Sequence, residues 1–320
     1  MNQRPQKRTQ KKAHDTLTPR LAFRLMAPHT MPASILPVIF SVVYTATSFS
    51  GTVNLTLAVV LFFICTLMQG AANTLNDYFD FKKNTDSLEN SSEDEFDAVL
   101  VYNDLDPRHV LIFAIAQLVI AGALGCYIVA VTSLVPLIIG IIGALVVLAY
   151  SWGKTPLSYL PIGEIVIGVV MGGLIPLACV YVLSGVLDWM LTLIALPLMI
   201  GIGMILATNN TCDIEKDIEA KRHTLAVTLG RTNAVGLYKL MILVWIAVIL
   251  ILELCFYTPG FFFGLLMICA AFGNIRALMI NPLNQATRDP AMAQIASLII
   301  TLVAFYCLAI AMSGIVIFAF

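Results

Sequence analysis

Long apolar stretches alternate with short polar connections along this chain, and the stretches have the length of membrane-crossing helices. Nine can be read, at about 31–49, 54–75, 108–131, 133–152, 162–184, 187–208, 234–255, 259–280 and 291–319, each near the roughly 20 residues that carry a helix across a bilayer. Lipid cannot satisfy free backbone amides, so spanning segments are helices or closed barrels. The period-two alternation of barrel strands is absent. The pattern predicts an all-α polytopic membrane protein, with nine transmembrane helices around a central cavity.

Composition sharpens this picture. Of the 320 residues, 59% are hydrophobic and 12% charged, about half the charge of a soluble domain, in which roughly a quarter of residues are charged. The net charge of −1 says less than its distribution. Connections 50–53, 132–133, 185–188 and 256–258 carry no Lys or Arg, whereas all 18 basic residues lie in the N-terminal stretch, in the alternate connections, or at the span ends beside them. By the positive-inside rule the N-terminus is expected in the cytoplasm and, after nine crossings, the C-terminus outside the cell membrane. The expected organisation is a basic cytoplasmic tail over 1–30 and one transmembrane domain over 31–320. The first 20 residues are basic and polar, and the apolar stretch after them is long enough to stay as a span, so no cleaved signal is expected. Seven cysteines without a CxxC pair and four scattered histidines read as core residues, with no zinc or disulfide framework.

Two polar clusters lie on the same expected face. The first runs from Asn73 through Asn76, Asp77 and Asp80 to Asp86, and the second from Asn209 through Asp213 to Asp217. Continued as a helix, the first places Asn73 four residues before Asp77 and Asn76 four before Asp80, all on one face. The second repeats at four-residue steps. Stacked carboxylates repel unless a cation lies between them. Mg²⁺ suits such a place, because it takes one or two carboxylates and completes its shell with water and phosphate oxygens. Basic residues complement the acids: Lys154 after Tyr150, and Lys221-Arg222 after the second cluster, can grip phosphate oxygens. Ordinary solvated helix ends are the plainer reading of a single cluster. Two aligned clusters beside hydrocarbon favour a functional site.

These residues resemble the UbiA superfamily of intramembrane prenyltransferases. Asn76, Asp77, Asp80 and Asp86 look like its NDxxD motif with a further Asp, and Asp213 and Asp217 like its DxxxD motif. Asn209-Asn210 through Arg231, and Gly153 to Glu164, are similar to the branch that prenylates 1,4-dihydroxy-2-naphthoate in menaquinone biosynthesis. There are departures. Asn84 stands for a Gly, Cys212 for an Arg, and Lys221-Arg222-His223-Thr224 for Gly-Lys-Arg-Thr, while the 87–106 loop is unusually acidic. Restoring a cation by Cys212→Arg is expected to keep or raise activity.

The resemblance implies metal ions held by Asn76, Asp77, Asp80, Asp86, Asp213 and Asp217, with Asp77, Asp80, Asp213 and Asp217 as the catalytic set. It implies substrate contacts from Asn73, Tyr150, Lys154, Asn209, Lys221 and Arg222. The partners would be a polyprenyl diphosphate, an aromatic quinone-precursor acceptor and the bilayer, with no nucleic acid. Ionisation of the allylic diphosphate would give a cation that the electron-rich ring attacks, and the naphthoate would lose its carboxylate as carbon dioxide. Acceptors such as 4-hydroxybenzoate stay open within the superfamily. A transporter, which would place charge near the bilayer midplane, is the reading from another class.

Overall fold

In the computed structural model, residues 15–49, 53–82, 99–153 and 155–317 are described. Among them every regular element is helical, apart from one isolated bridge between Asp15 and Leu105. The helices are α1 (Pro19–Leu25), α2 (Pro32–Ser48), α3 (Leu55–Lys82), α4 (Val99–Tyr102), α5 (Pro107–Val131), α6 (Val135–Ser151), α7 (Gly163–Val169), α8 (Ile175–Ser184), α9 (Met190–Ile194), α10 (Leu196–Cys212), α11 (Ile214–Glu219), α12 (Leu225–Leu229), α13 (Arg231–Phe256), α14 (Phe261–Ile280) and α15 (Arg288–Ile317). Seven helical segments among the described residues are long and apolar enough to cross a membrane. The expected stretches 133–152 and 187–208 hold the shorter apolar helices α6 and α10 instead.

Local sequence explains the boundaries. Asp106 caps α5 by accepting from the Arg108 amide at 2.9 Å, and Pro107 takes the first helical position, where its missing N–H costs nothing. Thr224 caps α12 through the Val227 amide. Between α7 and α8 the helix widens into one π-helical turn, Val170–Leu174, a distortion that often marks functional helices. Gly172 lies in that turn, and a Cβ there would sit 2.5 Å from the Met199 backbone. The missing side chain lets this helix press directly on α10.

The largest core cluster joins α2, α10, α13, α14 and α15 around Phe40, Trp245 and Tyr306, all fully buried. Outward faces stay apolar, as lipid requires: Ile112, Val119, Leu145, Leu240 and Phe272 are exposed. A separate cluster of Leu25, Val99, Leu100, Leu105 and Val110 packs α1 and α4 over the polar end of α3. Residues 15–30, part of the stretch expected to be a tail, are therefore built onto the helical body.

Candidate active site

α3 is one uninterrupted helix, so Asn73, Asn76, Asp77 and Asp80 share its inward face as their spacing predicts. The second cluster is less regular. α10 ends at Cys212, and Asp213 leaves helical geometry at φ −99°, ψ 17°. The four-residue bonds nonetheless continue, from the Asp213 amide to the Asn209 carbonyl at 3.0 Å and from the Asp217 amide to the Asp213 carbonyl at 2.8 Å.

All four aspartates are buried: Asp77 and Asp80 are 6% exposed, Asp213 5% and Asp217 2%. The Arg222 guanidinium joins the two clusters, reaching Asp80 Oδ1 at 3.1 Å from Nη2 and Asp217 Oδ1 at 3.6 Å from Nη1. It also lies over the Tyr159 ring, 5.0 Å from the centroid. Burial works against the Arg222 charge, but Asp80 and Asp217 hold its pKa above the ordinary range. Burial pushes the Asp217 carboxyl up to about 6, and Asp213 adds to the rise against the opposing pull of Arg222, Thr224 and Lys216.

The turn after α11 explains how Arg222 gets there. Lys221 adopts the left-handed conformation (φ 56°). Its amide bonds to Ile218 O at 3.1 Å, and the Arg222 amide bonds back to Asp217 O at 2.8 Å. This pair of bonds is a Schellman termination, whose left-handed position favours Gly. Lys221 occupies the position expected to hold that Gly. Its side chain is exposed and does not line the cavity, so the observed part played by Lys221 is a backbone one.

The remaining expected residues divide. Asn76 donates to Asp80 Oδ2 at 3.1 Å and accepts from Ser151 Oγ at 3.1 Å. Asn73 lines the cavity, and its amide also ties α3 to Met26 O at 2.8 Å and Thr30 Oγ1 at 2.9 Å. Tyr150 and Asn209 line the cavity as well. Asp86 and Lys154 lie outside the described residues. Asp77 accepts from the Leu100 amide at 3.3 Å, which brings α4, at the end of the acidic loop, directly onto the first cluster.

Sequence reasoning missed Arg24, Lys216 and Arg288, which all line the cavity. Arg288 lies 75 positions after Asp213, so no local spacing connects them. Cys212 also needs reinterpretation. It is fully buried, belongs to the main core cluster and does not line the cavity. An Arg there would overpack the core, so the expectation that Cys212→Arg preserves activity is withdrawn.

The cavity has a volume of about 640 Å³. Its polar end holds the acids and arginines. Its apolar part runs past Met68, Ile64 and Leu61 on α3 to Val182 on α8. From Asp77 to Leu61 this is roughly 24 Å of helix at 1.5 Å per residue. Gly122 and Gly125 on α5 and Gly140 and Gly143 on α6 line it too, with nothing within 4 Å of where a Cβ would stand.

No group of three or more His, Cys, Asp or Glu residues close enough to hold a metal occurs among the described residues. The donor chemistry still fits a hard cation. Paired carboxylates on facing elements, already bridged by the Arg222 cation, match an ion that keeps water and shares phosphate oxygens. They do not match a cage built from protein ligands alone.

A family model described as the UbiA prenyltransferase family matches residues 34–298. The chain is 33% identical over 218 residues to a 1,4-dihydroxy-2-naphthoate octaprenyltransferase of Bacillus subtilis, covering 68% of each chain. It is 31% identical to the UbiA prenyltransferase domain-containing protein 1 of Danio rerio over 68% of this chain and 64% of that one. In fold it is similar to a UbiA homolog from Archaeoglobus fulgidus solved bound to GPP and Mg²⁺, with a TM-score of 0.62, 15% identity, and 91% of this chain and 99% of that one covered.

Proposed function

This chain belongs to the UbiA prenyltransferase family, and we propose that it transfers a polyprenyl group from its diphosphate to 1,4-dihydroxy-2-naphthoate, with loss of the carboxylate as carbon dioxide, in menaquinone biosynthesis. It is an integral membrane prenyltransferase. The observation that carries the finer reading is the joining of Asp80 and Asp217 by Arg222 at the head of a long apolar cavity. Charge is concentrated where a diphosphate would bind, and apolar surface lies where its tail would lie. The Bacillus relative supports the choice of acceptor.

Mg²⁺, when bound, would neutralise charge on the departing diphosphate. Asp77, Asp80, Asp213 and Asp217 would hold it, with Asn76 and Asp86 completing the set. Arg222 would move from carboxylate to phosphate oxygens as donor and metal enter together, keeping its charge partnered throughout. Asn73, Asn209 and Lys154 would position the diphosphate. The apolar walls exclude water from the allylic cation, and the Tyr150 ring supplies a π face beside it. The glycine-lined wall of α5 and α6 leaves room for the tail.

For the membrane arrangement, α6 and α10 bring the crossings to nine, with the N-terminus and its basic residues 1–30 cytoplasmic and the C-terminus outside the plasma membrane. The asymmetry of Lys and Arg supports this orientation. Single cysteines at 51 and 133 should then label from outside, and at 90 and 221 from inside.

The test of function is turnover by purified protein with labelled polyprenyl diphosphate and Mg²⁺. Carbon dioxide should be released from 1,4-dihydroxy-2-naphthoate in step with product. Turnover of 4-hydroxybenzoate with none of the naphthoate would assign a different acceptor.

A further inference from the structure

Arg288 opens α15 at the polar end of the cavity, 75 positions after Asp213, the buried acid it meets. Its side chain is 12% exposed. Nε lies 3.1 Å from Asp213 Oδ2, and Nη2 lies 2.6 Å from Asn209 Oδ1. Nη1 lies 3.8 Å from the exposed Asp289. Resting on the assignment of Asp213 as a metal ligand under the function proposed above, we infer that Arg288 is a substrate-binding residue, releasing Asp213 to the metal and gripping a substrate oxyanion.

The argument starts from competition for one carboxylate. The guanidinium holds Asp213 Oδ2, so a metal drawing on that carboxylate competes with it for the same charge. When the metal takes that charge, the largely buried guanidinium loses most of its compensation, since Asp289 is exposed and 3.8 Å away. An under-compensated buried charge favours another anion. The incoming substrates are anions. A guanidinium presents a planar fork that matches the oxygens of a phosphate or carboxylate. The dipole at the start of a 30-residue helix adds positive potential at the same point.

Two other cations of this half of the site have partners of their own. Arg222 lies between Asp80 and Asp217. Arg231 bonds Thr211 O at 2.8 Å and also engages Leu283 O and Glu215. Those contacts bind the end of α10 to the turn before α15. The turn is braced again by Asn281 Oδ1, which accepts from the Leu283 amide and from Thr287 Oγ1, both at 2.8 Å. Arg288 is thus held on a fixed support beside Asp213. It brings a cation to Asp213 from another helix.

The oxyanion belongs either to the donor diphosphate or to the acceptor carboxylate, and two measurements on the full chain in nanodiscs separate them. The first is Mg²⁺-dependent binding of geranyl diphosphate to wild type, R288K and R288Q. The second is KM for 1,4-dihydroxy-2-naphthoate set against 1,4-dihydroxynaphthalene, which lacks the carboxylate. In the donor case R288Q weakens geranyl diphosphate binding tenfold or more, with R288K between. In the acceptor case donor binding holds, and R288Q raises KM tenfold for the naphthoate alone. If donor binding and both KM values stay within twofold of wild type, Arg288 merely neutralises Asp213 and the inference is overturned. R288K decides the matter if R288Q does not assemble. A wild type that uses only acceptors without a carboxylate would revise the proposed acceptor, and the binding arm would still test Arg288.

Discussion

The two acidic clusters reach one cavity by different local routes. The first lies on a continuous helix, where four-residue spacing alone aligns Asn73, Asn76, Asp77 and Asp80. The second crosses a helix break at Asp213 and depends on the turn at Lys221 to return Arg222 towards Asp217. Their partners differ too. Asp77 meets a backbone amide from α4 and Asp80 a neighbouring Asn besides the shared Arg222, whereas Asp213 takes a guanidinium of its own from α15. A regular helix therefore suffices to align the acids of one half, while the other half needs a turn to shape it, and both draw their charge partners from distant chain.

Removing one carboxylate from each half tests whether both are needed. Asp77→Ala and Asp213→Ala should each lower Mg²⁺-dependent turnover by roughly a hundredfold or more, since each would leave the proposed metal without a ligand. Measured diphosphate release that survives intact in the Asp213 variant would break the symmetry of the proposed site.

The link between the halves comes next. Arg222→Gln leaves Asp80 and Asp217 buried without their cation, a loss of about 3 kcal/mol by the usual cost of breaking a buried pair. The thermal midpoint should fall without metal and recover in part when Mg²⁺ and diphosphate are added. A midpoint equal to wild type in metal-free buffer would mean that the bridge does not couple the clusters.

A region away from the site gives the control. Asp188 accepts from Tyr44 Oη at 2.6 Å and from the Met190 amide at 2.9 Å. Asp188→Ala should lower stability by about 1–2 kcal/mol and leave kcat unchanged. A large fall in kcat at full stability would extend the functional region beyond the acidic end.

The smallest expected effect has the opposite sign. Lys221→Gly places the residue best suited to φ 56° at the turn that aims Arg222, and should stabilise the protein by up to roughly 1 kcal/mol. Turnover should persist. A raised KM for diphosphate instead would restore Lys221 to the substrate contacts expected from sequence.

Hydrophobic patterning located the long apolar helices, most of them to within a few residues, because a chain in lipid has few ways to satisfy its backbone. It stopped short of the polar end of α3 and missed the short helices α1, α4, α11 and α12. It also located both clusters, since closely spaced acids beside apolar stretches stand out in any reading. Cavity depth, the burial of Cys212 and the partner of each carboxylate were not legible. Arg288 looked like any other basic residue at a span end, and Lys221 like a phosphate-binding cation rather than a turn residue.

The sequence by itself determined the helical class, the membrane setting and the two acidic motifs, because periodicity and local spacing are carried by neighbouring residues. Only the tertiary structure decided which cations meet which acids. Arg222 reaches across to Asp80 and Arg288 to Asp213 over separations of 142 and 75 positions. Contacts at that range depend on how whole helices pack, and no local pattern encodes them.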